Sequence, residues 1–200
     1  MTVRKPTEER RREIAAAAIK IIGERGLREF TAAQLAEEVG IKDATIFRHF
    51  KDMNEVKEAA LDRLQGLVDA APDPMAANPL TRLEHFVRLR LHAVSVQPGI
   101  QSLIFSDQLS HALGDEGPRR IAELRNRGRD FVRSCLQDAA QQGLIREDTD
   151  IESAVLLITG MAMGFLFAAK DGAVTAPVTE VEERCWQTVR VMLEPREVKP

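Results

Sequence analysis

The chain has 200 residues, 44% of them hydrophobic and 30% charged. That mix excludes general disorder, and the length allows one large or two small domains with a self-sufficient core. Lys and Arg number 28 against 31 Asp and Glu, a formal net charge of −3 that, taken whole, points away from nucleic acid. The balance is uneven, however. Residues 1–65 hold 13 basic and 12 acidic side chains, while residues 66–200 hold 15 and 19. The acidic excess therefore belongs to the second part. Cys135 and Cys185 are the two cysteines. They provide no disulfide framework and no metal-type spacing, so a reduced, cytoplasmic chain is expected. Residues 1–12 are charged without an apolar stretch, so no signal peptide is expected. The longest apolar run, Ala154–Ala169, is shorter than the ~20 residues of a membrane span and predicts a buried helix.

Strand signals are nearly absent and helical periodicity is everywhere, which predicts an all-α fold of about nine helices. The first spans Thr7 to Arg25, with Thr7 as N-cap, Glu8 and Glu9 at the positive end of the dipole and Gly26 as stop. Ile14, Ala17, Ala18 and Ile21 form its buried stripe. The second starts at Thr31, where Thr31 and Gln34 make a capping box and Phe30 staples onto Leu35; it ends at Gly40. The third runs from Asp43 to Phe50. The fourth begins at Asp52, boxed by Glu55, and reaches Ala70. Ala71–Pro79 carries three prolines and reads as a linker. Helices follow at Leu80–Val96, at Ile100–Leu113 (closed by Gly114), and from Pro118 to Gly143. The eighth is boxed by Thr149 and Glu152 and stops near Lys170–Gly172. The ninth is boxed by Thr179 and Glu182 and ends before Pro195. Residues 196–200 read as a tail.

Thr31–Phe50 carries the functional information. Two short helices meet across Gly40-Ile41-Lys42, with Ala36 small at the point of close approach and Gly40 free to turn left-handed. Leu35, Val39, Ile41 and Ile46 face inward. This is the spacing of a helix-turn-helix whose second helix enters the DNA major groove, and also that of an αα-hairpin in a helical bundle.

The stretch Thr31-Ala-Ala-Gln-Leu-Ala-Glu-Glu-Val-Gly-Ile-Lys-Asp-Ala-Thr-Ile-Phe-Arg-His-Phe-Lys51 resembles the DNA-binding signature of the tetracycline-repressor (TetR) family. Ile14–Gly26, Ala-rich and ending in Arg-Gly, is similar to that family's first helix. The resemblance covers about residues 7–60; beyond them it extends only to helix number and order. It implies an all-α homodimer with an N-terminal helix-turn-helix domain (residues 1–52) and a C-terminal effector-binding and dimerisation domain (residues 53–195). It also implies repression of an operator relieved by a small molecule. Two positions depart from the family pattern. Lys42 stands where Ser is frequent, and Met53 where a phosphate-contacting Lys is frequent; Lys51 is the nearby substitute.

The DNA-facing set is Thr31, Lys42, Asp43, Ala44, Thr45, Phe47, Arg48, His49 and Lys51. Thr31 caps a helix whose N-terminus also suits a phosphate. Ala44 and the Thr45 methyl can meet a thymine methyl, and Asp43 can accept from a cytosine amino group. Phe47 lies where the family commonly has Tyr and cannot bond a phosphate. The resemblance makes His49 a phosphate contact; Arg48 is a second one or a solvated charge. Arg4, Lys5, Arg10, Arg11 and Arg12 form a basic arm that can follow the DNA backbone or stay solvated.

Counting 100° per residue puts Leu83, Phe86, Val87, Leu91 and Val94 on one arc with Arg90 in its middle. A buried charge requires a partner, either a carboxylate such as Asp107 or Glu123 or an acidic effector. Leu64, Phe86, Arg90, Phe105, Arg125, Phe131, Met161 and Phe165 are the candidate effector-pocket residues, with plain core as the competing reading. Gly160 and Gly164, four apart, and Trp186 with Val189 are the candidate dimer seam, as part of a four-helix interface between two chains. No Ser/His/Asp arrangement, metal-ligand spacing or Gly-rich phosphate loop is present. His85, His92 and His111 are scattered, so neither an enzyme nor a metal or cofactor site is expected. The expected partners are operator DNA, a small molecule and a second copy, and no membrane. A nucleoid-associated DNA-binding protein of the same fold, without an effector, is the alternative.

Overall fold

The computed structural model describes residues 6–69, 78–96, 103 and 116–195. The described residues contain eight α-helices, one 3-10 turn and no strand, so the fold is all-α. In chain order these are α1 (Thr7–Arg25), the 3-10 turn Leu27–Glu29, α2 (Ala32–Val39), α3 (Asp43–Ile46), α4 (Met53–Asp69), α5 (Pro79–Val96), α6 (Glu116–Gln141), α7 (Ile151–Lys170) and α8 (Val178–Leu193). The helix expected at Ile100–Leu113 lies outside the described residues apart from Leu103, as do most of the Pro-rich linker, Arg4 and Lys5.

The chain divides into two compact units. Residues 6–69, 103 and 116–124 make the first, and residues 78–96 and 125–195 the second. The first unit is held by Ile14, Ala18, Ile21 and Ile22 of α1, Leu35 and Ala36 of α2, Ile46, Phe50, and Val56, Ala60, Leu61 and Leu64 of α4, joined by Leu103, Ile121 and Leu124. This core places α4 in one unit with the helix-turn-helix. Its four apolar side chains are buried against α1, with Val56, Leu61 and Leu64 each contributing about 1.5–3 kcal/mol of transfer free energy. Arg120, at the start of α6, pairs with both Glu58 (2.5 Å) and Asp62 (2.6 Å), which lie one turn apart on α4.

The second unit packs α5 against α7 and α8. The predicted arc of α5 is its core face, since Leu83, Phe86, Val87, Leu91 and Val94 are all buried. They meet Val132, Cys135, Leu136 and Ala139 of α6, Ala154, Val155 and Ile158 of α7, and Trp186, Val189 and Leu193 of α8.

Several helix starts differ from expectation. Residue α1 Thr7 is already helical, and Pro6 takes the cap position with its carbonyl accepting from Arg10 N–H (3.1 Å). For α7 the cap is Asp150, whose carboxylate accepts from Ser153 N–H (2.7 Å); the Thr149 hydroxyl is buried without a partner. Asp is at least as good a cap as Thr, and the register follows the better acceptor. For α8, Pro177 precedes the first turn, and Glu182 is buried with Oε1 3.2 Å from His92 Nδ1 of α5 instead of capping. A tertiary partner outcompetes the local box there.

α7 corrects a further expectation. It is a 20-residue helix, longer than the apolar run within it, and by length and composition alone it is long and apolar enough to cross a membrane. It is not buried on several sides. Ala154, Val155, Ile158, Ala162 and Leu166 form one buried stripe, while Leu156, Leu157, Met163 and Phe167 are exposed. Its all-round apolarity is the sum of one core face and one open face.

Candidate nucleic-acid interface

Thr31 caps α2 as expected, its Oγ1 accepting from Gln34 N–H at 3.2 Å. The box is half built. Gln34 Oε1 accepts from Arg25 (3.2 Å), and Thr31 N–H donates to the Glu29 carbonyl (2.9 Å). Arg25 and Lys20 of α1 also reach Glu38 of α2, at 3.3 and 2.5 Å. Lys20 and Glu38 hold each other charged, the amine pushed above and the carboxyl below its ordinary range by their hydrogen bond. α2 closes at Gly40, with φ +71° and ψ +38°. Gly40 N–H donates to Glu37 and Ile41 N–H to Ala36, the paired bonds that end a helix on a left-handed residue.

Lys42 then takes the extended backbone of a cap, and Asp43 Oδ1 accepts from Ala44 N–H at 2.7 Å. One oxygen of that carboxylate is thus committed to the start of α3. α3 is regular for four residues and continues through single-turn bonds to Phe50, where Phe50 N–H donates to the Ile46 carbonyl (3.0 Å). Ile46 and Phe50 are the buried pins of this segment. The side chains around them face outward. Lys42, Asp43, Ala44, Arg48 and Lys51 are exposed, Thr45 and His49 are half-buried, and Phe47 is 50% exposed. The side chains of Lys42, Arg48 and Lys51 make no hydrogen bond or ion pair among the described residues. His49 Nδ1 is buried with no partner.

α4 is capped by Asp52, whose Oδ1 accepts from Asn54 and Glu55 N–H, both at 2.9 Å. Glu55 reaches back to Lys51 N–H (2.6 Å), one residue earlier than in the usual box. That bond, then Arg11, draws the Glu55 carboxyl below its ordinary range.

Within the basic N-terminal stretch, Arg10 and Arg11 are committed inside the protein. Arg10 is buried and bonds Glu13 (2.8 Å), and Arg11 is bound to His49, Glu55 and Phe50; of the described arginines there, Arg12 is exposed. Helical phase turns Arg10 and Arg11 into the unit and Arg12 out of it.

Over residues 14–60 the sequence matches the family described as "Bacterial regulatory proteins, tetR family". That match covers 47 of the 200 residues, the first helix and the helix-turn-helix segment through the start of α4. The chain is similar to the HTH-type transcriptional repressor KstR2 of Rhodococcus jostii, 27% identical over 153 residues that cover 72% of each chain. It also resembles the nucleoid occlusion factor SlmA of Shewanella woodyi, 31% identical over 87 residues covering 40% of this chain and 42% of that one. Among solved structures, AibR, determined in complex with isovaleryl coenzyme A and operator DNA, superposes with a TM-score of 0.71 at 20% identity, covering 90% of this chain and 97% of that one. That likeness is one of fold.

The residues expected to line an effector pocket are divided between the two units. Leu64 is fully buried in the core of the first unit. In the second, Phe86 and Phe131 stack with ring centroids 5.3 Å apart, and the Arg90 guanidinium lies 5.0 Å over Phe86. A Cβ on Gly128 would touch both Phe86 (3.6 Å) and Arg90 (3.8 Å). Met161 and Phe165 are half-buried against the same core, Arg125 is half-buried, and Phe105 lies outside the described residues. Of the carboxylates expected to meet Arg90, Glu123 accepts from Arg119 (2.5 Å) and Asp107 lies outside the described residues.

The residues expected at a dimer seam divide by exposure. Trp186 and Val189 are 4% and 3% exposed and belong to the core of their own unit, so they do not face a second chain. Gly160 and Gly164 are exposed. Also exposed are Leu156, Leu157, Met163 and Phe167 of α7 and, on α8, Val191, at 70%. Sequence reasoning missed these five. The signal was available in α7, where apolar residues continue past the width of one core-facing stripe.

Proposed function

We propose that this chain is a ligand-responsive transcriptional repressor of the bacterial cytoplasm. It binds a near-palindromic operator as a homodimer and is released by a small molecule. The observation that carries this reading is the segment Lys42–Lys51. Ile46 and Phe50 anchor it in the core, while Lys42, Ala44, Phe47, Arg48 and Lys51 are presented outward with the cations uncommitted. Cations deliver salt-dependent affinity, and Ala44 and Thr45 meet base edges. The exposed apolar face of α7 supports the dimer, since an open stripe of Leu156, Leu157, Met163 and Phe167 beside two glycines is the surface a second copy buries. A dimer sets two recognition segments about 34 Å apart, one turn of DNA. An effector that favours another separation opposes DNA binding reciprocally.

The test is titration of the full chain against the intergenic DNA beside its own gene, with a scrambled duplex as control. The expected result is a salt-sensitive preference for a palindrome, reversed by a small molecule. No preference for any palindrome overturns it. The partial likeness to a nucleoid occlusion factor favours one alternative, a fold of this kind acting without an effector. Sites scattered over the chromosome, with affinity unmoved by small molecules, would select it.

A further inference from the structure

α3 is four residues long. A single turn cannot hold its own geometry in water, so the orientation of residues 47–51 must be imposed from outside. Arg11 of α1, 38 positions away from His49, supplies that constraint with three groups at once. Its Nη1 donates to the His49 carbonyl, its Nη2 donates to Glu55 Oε1 at 2.8 Å, and its guanidinium lies 4.1 Å from the centre of the Phe50 ring. Glu55 in turn accepts from Lys51 N–H through its other oxygen (2.6 Å). Arg11 and Glu55 therefore bracket His49, Phe50 and Lys51, holding one by its carbonyl, one by its ring and one by its amide. A phosphate-binding arginine needs its donors and an open face, and Arg11 has committed one N–H of each terminal nitrogen and one face inside the protein. Swinging it to a phosphate would orphan the His49 carbonyl and leave Glu55 without its cation.

We propose that Arg11, through Glu55, is a positioning residue for the DNA-reading segment and not a member of a phosphate-contacting arm. This rests on the reading of Lys42–Lys51 as the DNA-facing surface. The planar fork is essential to it, because Lys is a point charge that cannot serve a carbonyl, a carboxylate and a ring together.

The experiment uses the full chain and two readouts. Hydrogen exchange of the free protein is followed at the His49, Phe50 and Lys51 amides. Affinity is measured for the duplex the wild type selects from a randomised library, across a salt series. Arg11→Ala, Arg11→Lys and Glu55→Gln should each speed exchange at these three amides. Each should weaken the selected duplex roughly tenfold or more, with the slope of log affinity against log salt unchanged. Glu55→Gln is the decisive variant, because it removes a negative charge and simple electrostatics would make it bind tighter. Arg11→Ala combined with Glu55→Gln should add little beyond either alone. A slope smaller by about one phosphate per protomer in Arg11→Ala, with exchange unchanged, would make Arg11 a DNA ligand and overturn the proposal; so would tighter binding by Glu55→Gln. If the wild type selects no duplex, the DNA-binding reading itself fails, and unchanged exchange in the variants would still refute the bracket.

Discussion

Gly40 has a positive φ of +71°, yet a Cβ built on it meets nothing within 4 Å. The cost of a side chain there is therefore backbone strain alone. Gly40→Ala should destabilise the chain by about 1 kcal/mol, lowering the melting temperature by a few degrees in calorimetry; an unchanged transition would mean that the turn relaxes. Glu55 titrates in a definite direction. Its carboxyl lies below the ordinary range because Lys51 N–H and Arg11 bond the charged form. Its contribution is present above the unfolded carboxylate range and is lost as pH falls through the folded value. Glu55→Gln should flatten the acid limb of a pH–stability curve followed by circular dichroism and leave neutral pH less affected by further titration. Capping was partly legible at this scale. Thr31 and Asp52 hold the positions their types suggested, while Thr149 lost to its neighbour Asp150 because two adjacent acceptors compete for one turn.

Among the elements, α7 and α8 each present two faces with different roles. Trp186 is a core residue of its unit, and Trp186→Ala should cost about 3–5 kcal/mol of folding stability, visible in denaturant unfolding whatever the oligomeric state. Leu156, 70% exposed, sits on the open face. Leu156→Glu should convert dimer to monomer in light scattering while the helical content stays intact; a dimer that survives would place the seam elsewhere. Gly160 separates propensity from packing. No atom lies within 4 Å of a Cβ there, so Gly160→Ala should favour the isolated helix by about 0.5–1 kcal/mol. If another α7 approaches closely at that point, the same methyl weakens association. Opposite signs in unfolding and in dimerisation are the expected signature.

For the whole molecule, charge acts through placement. The chain carries a net −3, yet Lys42, Arg48 and Lys51 are exposed and uncommitted on the recognition segment. Counted twice in a dimer, they predict a slope of log affinity against log salt of about −5. Arg10 and Arg11, which composition would add to that total, are withdrawn into the first unit. A slope near −9 would mean that the arm does reach DNA after all.

The sequence by itself determined the all-α class, the helix-turn-helix and the outward set from Lys42 to Lys51. These depend on local signals: the 3.6-residue period, a glycine where only a left-handed turn fits, and buried Leu35, Ile46 and Phe50 at fixed spacing. Tertiary structure decided what spacing cannot express. Arg11 faces a carbonyl, a carboxylate and a ring from another helix; Glu182 prefers His92 to its own helix end; and Trp186 turns inward while Leu156 turns out. Each choice depends on which neighbour supplies a better partner across many residues of chain. That comparison is made only when the helices pack.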